Sequence, residues 1–317
     1  MATAEQVKCL VKAYANHDDE KFTTVALQIA AHEARVGHDA VARDLKKEID
    51  LISKKKPETY RIEPVNPLFL FSSPSVREND LIVSADLATR IERVLIEFRN
   101  RRKLQSYGYA NRRKLLLEGV PGTGKTLTAS VIASELGLPL YTVQMDKLVS
   151  KFMGETSSKL RQVFDAMYTD EGVYFFDEFD AIGSDRSFDN EVGEMRRILN
   201  SFLQFIELDS SDSIIISATN NQKLLDKALF RRFDDVLHYD LPTRGEISKL
   251  YEYKLGCIAP YLMVSERLID ESLGLSHAEI VRVLDDAIKS SILHENQIKE
   301  QEIIELLKDR HLLYKGA

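Results

Sequence analysis

The sequence predicts an α/β fold: a five-stranded parallel sheet flanked by helices, with a helical bundle before it and a small helical domain after it. Three observations carry this. From about residue 81, helical stretches alternate with short apolar, β-rich runs: KLLLEG (114–119), PLYTVQ (139–144), VYFFD (173–177), SIIISAT (213–219) and DVLHYDLP (235–242). Strands separated by helices pair in parallel and carry helices on both faces. Before the first run and after Pro242 only helical periodicity is present. The 317 residues suffice for two or three domains.

Composition narrows the class. With 44% hydrophobic and 29% charged residues the chain reads as an ordinary soluble globular protein. A net charge of −7 argues against a general nucleic-acid binder. Cys9 and Cys257 make neither a CxxC pair nor a disulfide framework, so a reducing cytoplasm is expected. No secretion signal opens the sequence, and no apolar run reaches bilayer-spanning length. The seven histidines show no HxxxH or HExxH spacing, so no histidine metal site is expected.

Residues 1–55 read as three helices. Val7, Leu10, Val11 and Tyr14 form one stripe; Phe22, Val25, Ala26, Ile29 and Val36 a second, interrupted by Glu33; Val41, Leu45, Ile49 and Ile52 a third. Such a bundle either docks a partner or substrate or serves as a structural cap. Residues 56–80, with their charges and prolines, read as a linker. Residues 81–243 form the large α/β domain, and 244–317 a wholly helical lid.

GVPGTGKT (119–126) follows the strand KLLLE and runs into the helix TLTASVIASEL, the strand–loop–helix setting that a phosphate-binding loop requires. The fold is therefore that of a P-loop NTPase. Gly122 and Gly124 let backbone N–H groups turn toward phosphate oxygens, and the helix N-terminus adds its positive dipole. Lys125 reaches the β- and γ-phosphates of ATP, and Thr126 offers its hydroxyl to Mg²⁺. Val120, Pro121, Thr123 and Leu127 complete the nucleotide-binding stretch.

VYFFDE (173–178) ends an apolar strand in two acids, at the sheet edge where ligands of open α/β folds sit. Asp177 would hold Mg²⁺ through its water shell, and Glu178 would polarise the attacking water. Asp180 is a third acid or a helix cap. SIIISATN ends in Thr219 and Asn220; the amide either meets the γ-phosphate or closes an Asx turn. Arg231 and Arg232 in ALFRRFDD are either a charged turn or a pair that reaches a neighbouring subunit's γ-phosphate.

Together, GVPGTGKT, VYFFDEFDAIGSDR, SIIISATN, LFRRFDD and GLSHAEI resemble the AAA+ ATPases, and within them the AAA family proper, over about residues 75–300. The resemblance implies that LIVS (81–84), with Ile82, contacts adenine, and that Gly274 and Ala278 in GLSHAEI pack near the ribose from the lid. Two positions depart from the family pattern. LFRRFD lacks the Pro-Gly of the usual arginine-finger segment, so either arginine fits the role, and His277 and Glu279 stand where Gly and Asp are usual.

SKFMGET (150–156) lies between the strand PLYTVQ and a helix with the stripe Leu160, Val163, Phe164 and Met167. Apolar residues in such a loop ordinarily pack inward. The resemblance instead places a pore loop here: Phe152 and Met153 would grip a polypeptide without reading its sequence, and Gly154 gives room to move. DNEVGEMRR (189–197) matches a second pore loop, with Glu194 and Arg197 as candidates. Arginines acting in trans imply head-to-tail interfaces, which close into rings where the rotation permits; the resemblance implies a ring of six.

The expectation is an ATP-driven remodeller or unfoldase of proteins, with a protease or adaptor as a possible separate partner. RNRRKLQSYGYANRRK (99–114) supports a rival, a nucleic-acid-associated loader, but also fits a solvated helix face. A nucleotide-gated assembly scaffold is the third reading.

Overall fold

The computed structural model describes residues 4–15, 19–54, 66–148, 155–179, 191–220 and 230–315. The chain forms two compact units. One comprises residues 62–246 with 276–278; the other joins 1–61, 247–275 and 279–317.

The first unit is built on a sheet of six strands: β1 (Phe69–Ser72), β2 (Lys114–Gly119), β3 (Leu140–Val143), β4 (Val173–Phe176), β5 (Ile214–Thr219) and β6 (Asp235–Tyr239), in the order β1-β3-β4-β5-β2-β6. β2 to β6 are the five runs read from the sequence, and all pair in parallel. The sixth strand corrects the expected count. β1 comes from the stretch read as linker and pairs antiparallel with β3, Phe69 opposite Val143. It is only four residues long and half-buried, FLFS between a proline-rich segment and polar turns, so it has no periodicity to read.

Parallel strands buried on both faces need apolar residues at every position, and Leu115, Leu116 and Leu117 of β2 have no exposure at all. Their alternation divides the core. Leu115 and Leu117 face one layer with α4 (Ala85–Arg99) and α6 (Lys125–Leu136); Leu116 faces the other with α8 (Glu155–Thr169) and α9 (Glu191–Leu208). In the second layer Phe164, Phe176, Phe179 and Phe202 interlock, with ring centroids 4.4–6.2 Å apart. Between α4 and β2 runs the short α5 (Arg101–Ser106), and α7 (Met145–Leu148) follows β3. Ser84 caps α4 by accepting from the Leu87 N–H.

The second unit contains α1 (Ala4–Ala15), α2 (Asp19–Arg35) and α3 (Asp39–Lys54), then α10 (Arg244–Leu255), α11 (Glu266–Ser272), α12 (His277–His294) and α13 (Glu300–Lys315), apart from the residues at the starts of α10 and α12 that belong to the first. Glu33, which breaks the apolar stripe of α2, is buried and accepts from His38 Nδ1 at 2.6 Å. Lys21 of α2 joins the bundle to α10: its ammonium lies 4.5 Å from the Tyr253 ring centroid and donates to the Tyr253 carbonyl at 3.4 Å. The Tyr251 hydroxyl and Ser272 Oγ lie 2.9 Å apart, joining α10 to α11, and burial pushes this phenol up to about 12. Among the described residues no helix is long and apolar enough to cross a membrane.

Candidate functional site

The site forms where β2 ends, between β5 and the edge strand β6. Chain direction requires glycine at its first residue. Gly119 has φ +143°, and a Cβ there would lie 2.0 Å from the Tyr239 carbonyl oxygen at the end of β6. The loop that follows folds back on itself. Thr123 Oγ1 donates to the Val120 carbonyl at 2.7 Å, and Thr128 Oγ1 lies 3.0 Å from the Gly124 carbonyl and 2.7 Å from the buried Tyr239 hydroxyl. Burial raises that phenol far above its usual range, so it stays protonated.

Gly122 is required for a second reason. It has φ +76°, and residues 276–278 lie directly on it: an added Cβ would stand 2.6 Å from Ser276 Oγ and 3.1 Å from the Ala278 Cβ. The Ala278 N–H donates to the Gly122 carbonyl at 2.9 Å. Ala278, expected near the ribose, thus sits on the phosphate loop, with Ser276 beside it. Gly274 belongs to the other unit and has φ +85°.

Lys125 is 7% exposed, and its Nζ donates to the Gly119 and Val120 carbonyls at 2.8 and 2.9 Å. The ammonium is thereby held in the hollow of the loop, where phosphate oxygens would meet it. The next residue, Thr126, donates from Oγ1 to Asp177 Oδ2 at 3.1 Å, across 51 positions. This contact brings together the two residues predicted to hold a cation. Among the described residues no cluster of three or more His, Cys, Asp or Glu could hold a metal alone. A hydroxyl and a carboxylate suit Mg²⁺, which takes most of its ligands from phosphates and water.

Glu178 is exposed and has φ +49°, left-handed backbone that a non-glycine residue adopts at a cost of order 1–3 kcal/mol. Its N–H donates to Asp177 Oδ1 at 2.9 Å, while Phe179 is buried on the other side. The two acids at the end of β4 therefore diverge: Asp177 turns to Thr126, and Glu178 to solvent. Asn220 is exposed at the end of β5. Arg231 is exposed. Arg232 is half-buried, 3.5 Å from Glu207. Asp234, just beyond, accepts from the Arg113 and Lys114 N–H groups at 2.9 Å, fixing this segment to the start of β2.

Other predicted residues take ordinary places. Val120 and Pro121 are exposed on the loop and Leu127 is half-buried in α6. In the 81–84 segment it is Leu81 that meets the loop: its Cδ1 would lie 3.6 Å from a Cβ on Gly124, while Ile82 is half-buried. Phe152, Met153, Gly154 and Asp180 lie outside the described residues. Glu194 and Arg197 fall at the start of α9, and their side chains also lie outside them.

Three features had no signal in the sequence. Glu118, 1% exposed at the end of β2, has its carboxylate against Nδ1 of His238 of β6, its neighbour in register. Among the described residues neither buried ring nitrogen of His277 has a hydrogen-bond partner, and burial holds its imidazole below the usual value against the pull of Glu246. Four of the seven basic residues in 99–114 form ion pairs within the chain: Arg99 with Glu135, Arg101 with Glu171, Arg112 with Glu97 and Arg113 with Asp209. Glu135, Glu171 and Asp209 reach this stretch only through long-range folding, while Glu97 lies just upstream in α4.

Comparison with known proteins agrees with this geometry. The profile of the family described as "ATPase family associated with various cellular activities (AAA)" matches residues 115–241. The chain is 34% identical to an uncharacterized AAA family ATPase of Sinorhizobium fredii, over 98% of this chain and 96% of that protein. It is 33% identical to a putative 26S proteasome regulatory subunit homolog of Methanothermobacter marburgensis, over 63% of this chain and 55% of that one. It is 35% identical to the ATP-dependent zinc metalloprotease FtsH 3 of Phytoplasma mali, over 69% of this chain but 38% of that one.

Proposed function

The chain belongs to the AAA family of ATPases, and we propose that it uses ATP hydrolysis in a ring, a hexamer, to remodel or unfold protein substrates. The observation that carries the catalytic part is the convergence of Lys125, Thr126 and Asp177 at the end of β2. Lys125 holds the β- and γ-phosphates, and the loop N–H groups cradle them. Thr126 and Asp177 would hold Mg²⁺, which would supply screening of the negative charge on the phosphates. Glu178 draws the proton from a water as its oxygen attacks the γ-phosphorus; the β–γ bridging bond breaks, and ADP and phosphate leave. Asn220 orients that water or the γ-phosphate.

Arg231 is the better arginine finger, because it is exposed while Arg232 lies against Glu207. A finger that completes a neighbour's site makes the interface head-to-tail and the assembly a ring. Phe152, Met153 and Gly154 then form the gripping loop, with Glu194 and Arg197 in a second one. Residues 1–55 dock a substrate or partner, 56–80 link them to the ATPase domain at 81–243, and 244–317 form its lid. The relatives named as a proteasome regulatory subunit homolog and as an ATP-dependent protease support a protein substrate. Ion pairs within the chain at Arg99, Arg101, Arg112 and Arg113 support the solvated-face reading of the basic stretch over nucleic acid.

The test is Glu178→Gln. This variant should bind ATP and Mg²⁺, hydrolyse almost none, and accumulate as a ring with trapped protein. Light scattering that finds only monomer with ATP bound would refute the ring; a ring that captures no polypeptide would refute the remodelling role.

A further inference from the structure

The segment from Arg231 to Asp234 is fixed to the rest of its unit at three points. Phe233 is buried in the same core layer as Phe202 and Ile206 of α9. Arg232 lies 3.5 Å from Glu207 in the last turn of α9. Asp234 is bound reciprocally to the start of β2. Its Oδ2 accepts from the Arg113 and Lys114 N–H groups, each at 2.9 Å, and its own N–H donates to the Lys114 carbonyl at 2.8 Å. Strand pairing between β2 and β6 begins with Leu115 opposite Asp235. The Asp234 carboxylate therefore continues the ladder by a side chain where the backbone pairing stops. Arg231 is exposed at the head of this anchored segment.

The two β2 residues that hold Asp234 are themselves locked, because their side chains grip the end of α9. Lys114 Nζ donates to the Ile206 and Asp209 carbonyls at 2.5 and 3.2 Å. Arg113 Nη2 donates to the Asp209 carbonyl at 2.5 Å, and its Nη1 meets the buried Asp209 carboxylate. Cations placed so bond the last carbonyls of a helix and oppose the negative end of its dipole. All of these residues belong to one compact unit. β2 is six residues long and carries the phosphate loop at its other end, so the ATP of one subunit and the arginine it offers to the next are mounted on one strand.

We infer that Asp234 is a positioning residue for ATP hydrolysis in a second copy of this chain. By fixing the start of β6 to the base of β2, its carboxylate sets where Arg231 stands, and so whether that guanidinium meets the γ-phosphate held by the neighbouring subunit. The inference rests on the reading of Arg231 as the arginine finger. An arginine side chain is long and flexible, so its placement depends on the backbone that carries it. A misplacement of about 1 Å, caused far from the chemistry, can cost about 10²-fold in rate. Asp234 touches neither nucleotide nor reacting atoms; it acts only through Arg231. One oxygen of Asp234 accepts both N–H bonds, so reach and direction matter here more than charge.

The test measures ATP turnover, ATP affinity and melting temperature of the full-length protein. Asp234→Asn keeps an oxygen for both N–H groups and should turn over within a few-fold of the wild type. Asp234→Ala removes the acceptor, and Asp234→Glu keeps it one carbon farther out. Both should lower kcat by about tenfold to 10²-fold and leave ATP affinity within a few-fold. Asp234→Glu retains the charge and the bonds, so it serves where Asp234→Ala fails to fold. The defect should lie in the finger and not in the variant's own site. In rings mixed with Lys125→Ala subunits, which supply intact fingers but no working site, Asp234→Glu should regain turnover, and so should Arg231→Ala; native mass spectrometry confirms that mixed rings form. Wild-type kcat in both Asp234→Ala and Asp234→Glu overturns the inference. So does a loss in Asp234→Glu that mixing does not relieve while that of Arg231→Ala is relieved, because the defect then lies within one subunit. Full turnover in Arg231→Ala, or a loss there that mixing does not relieve, refutes the finger itself and takes the inference with it.

Discussion

Gly122→Ala tests whether residues 276–278 close on the phosphate loop as described. At φ +76° the alanine adopts left-handed backbone, which costs about 1–2 kcal/mol. Its Cβ must also displace Ser276 Oγ, 2.6 Å away, and the Ala278 Cβ, 3.1 Å away. Overpacking of this size costs about 1–3 kcal/mol, for a total of about 2–5 kcal/mol. In a unit of this size each kcal/mol lowers the melting temperature by roughly 2–4 °C, so a fall of roughly 4–20 °C is expected. If the 276–278 segment yields instead, the Ala278 N–H to Gly122 bond breaks and ATP affinity drops while the melting temperature falls less. Gly137→Ala separates the two contributions. Gly137 has φ +65° with nothing within 4 Å of the added Cβ, so it carries the backbone cost alone. The assay is scanning fluorimetry of both variants without nucleotide, with titration of a fluorescent ATP analogue. Gly122→Ala that melts with Gly137→Ala and binds nucleotide like the wild type would refute the close contact.

The remaining expectations concern the arginines, the grip and pH. Arg231→Ala should leave ATP affinity within a few-fold and reduce turnover steeply, since an arginine acting in trans adds ~10³–10⁵; Arg232→Ala should cost far less, and the reverse ranking in steady-state assays would reassign the finger. Phe152→Ala should keep basal ATP turnover but lose unfolding of a tagged substrate, because each copy forfeits roughly 1.5–3 kcal/mol of apolar contact. A core residue at this position would instead cost about 3–5 kcal/mol of stability on truncation, so a large melting drop with ATPase lost would show Phe152 to be packing. His277 is held neutral by burial, so its folded-state pKa lies below the unfolded value of about 6.5. The unfolded chain then takes up the proton first, and stability should fall as pH drops from about 6.5 toward the folded pKa. His277→Gln should flatten that part of the melting-versus-pH curve; an unchanged slope would remove His277 as its cause.

Much of this protein is legible in one dimension because its chemistry is local. A strand buried on both faces must be apolar throughout, so KLLLEG, VYFFD and SIIISAT announce themselves, and a loop that turns between strand and helix around phosphate needs GVPGTGKT as a contiguous string. The order of these strings was enough for the fold class, the family and the ATPase chemistry. Tertiary structure decided whatever depends on who meets whom. Four half-buried residues become β1 only because β3 offers a free edge. Leu81 faces Gly124, and Ser276 and Ala278 cover Gly122, through closures that leave no local pattern. Two adjacent arginines look alike in sequence; only the position of Glu207 distinguishes Arg232 from Arg231. Arg99, Arg101, Arg112 and Arg113 form a basic run in one dimension and a set of ion pairs in three, because Glu135, Glu171 and Asp209 come from distant segments and the chain turns back to set Arg112 beside Glu97. Short-range patterning follows from burial and backbone geometry, which each residue carries with it; long-range contact follows from chain closure, which no single stretch records.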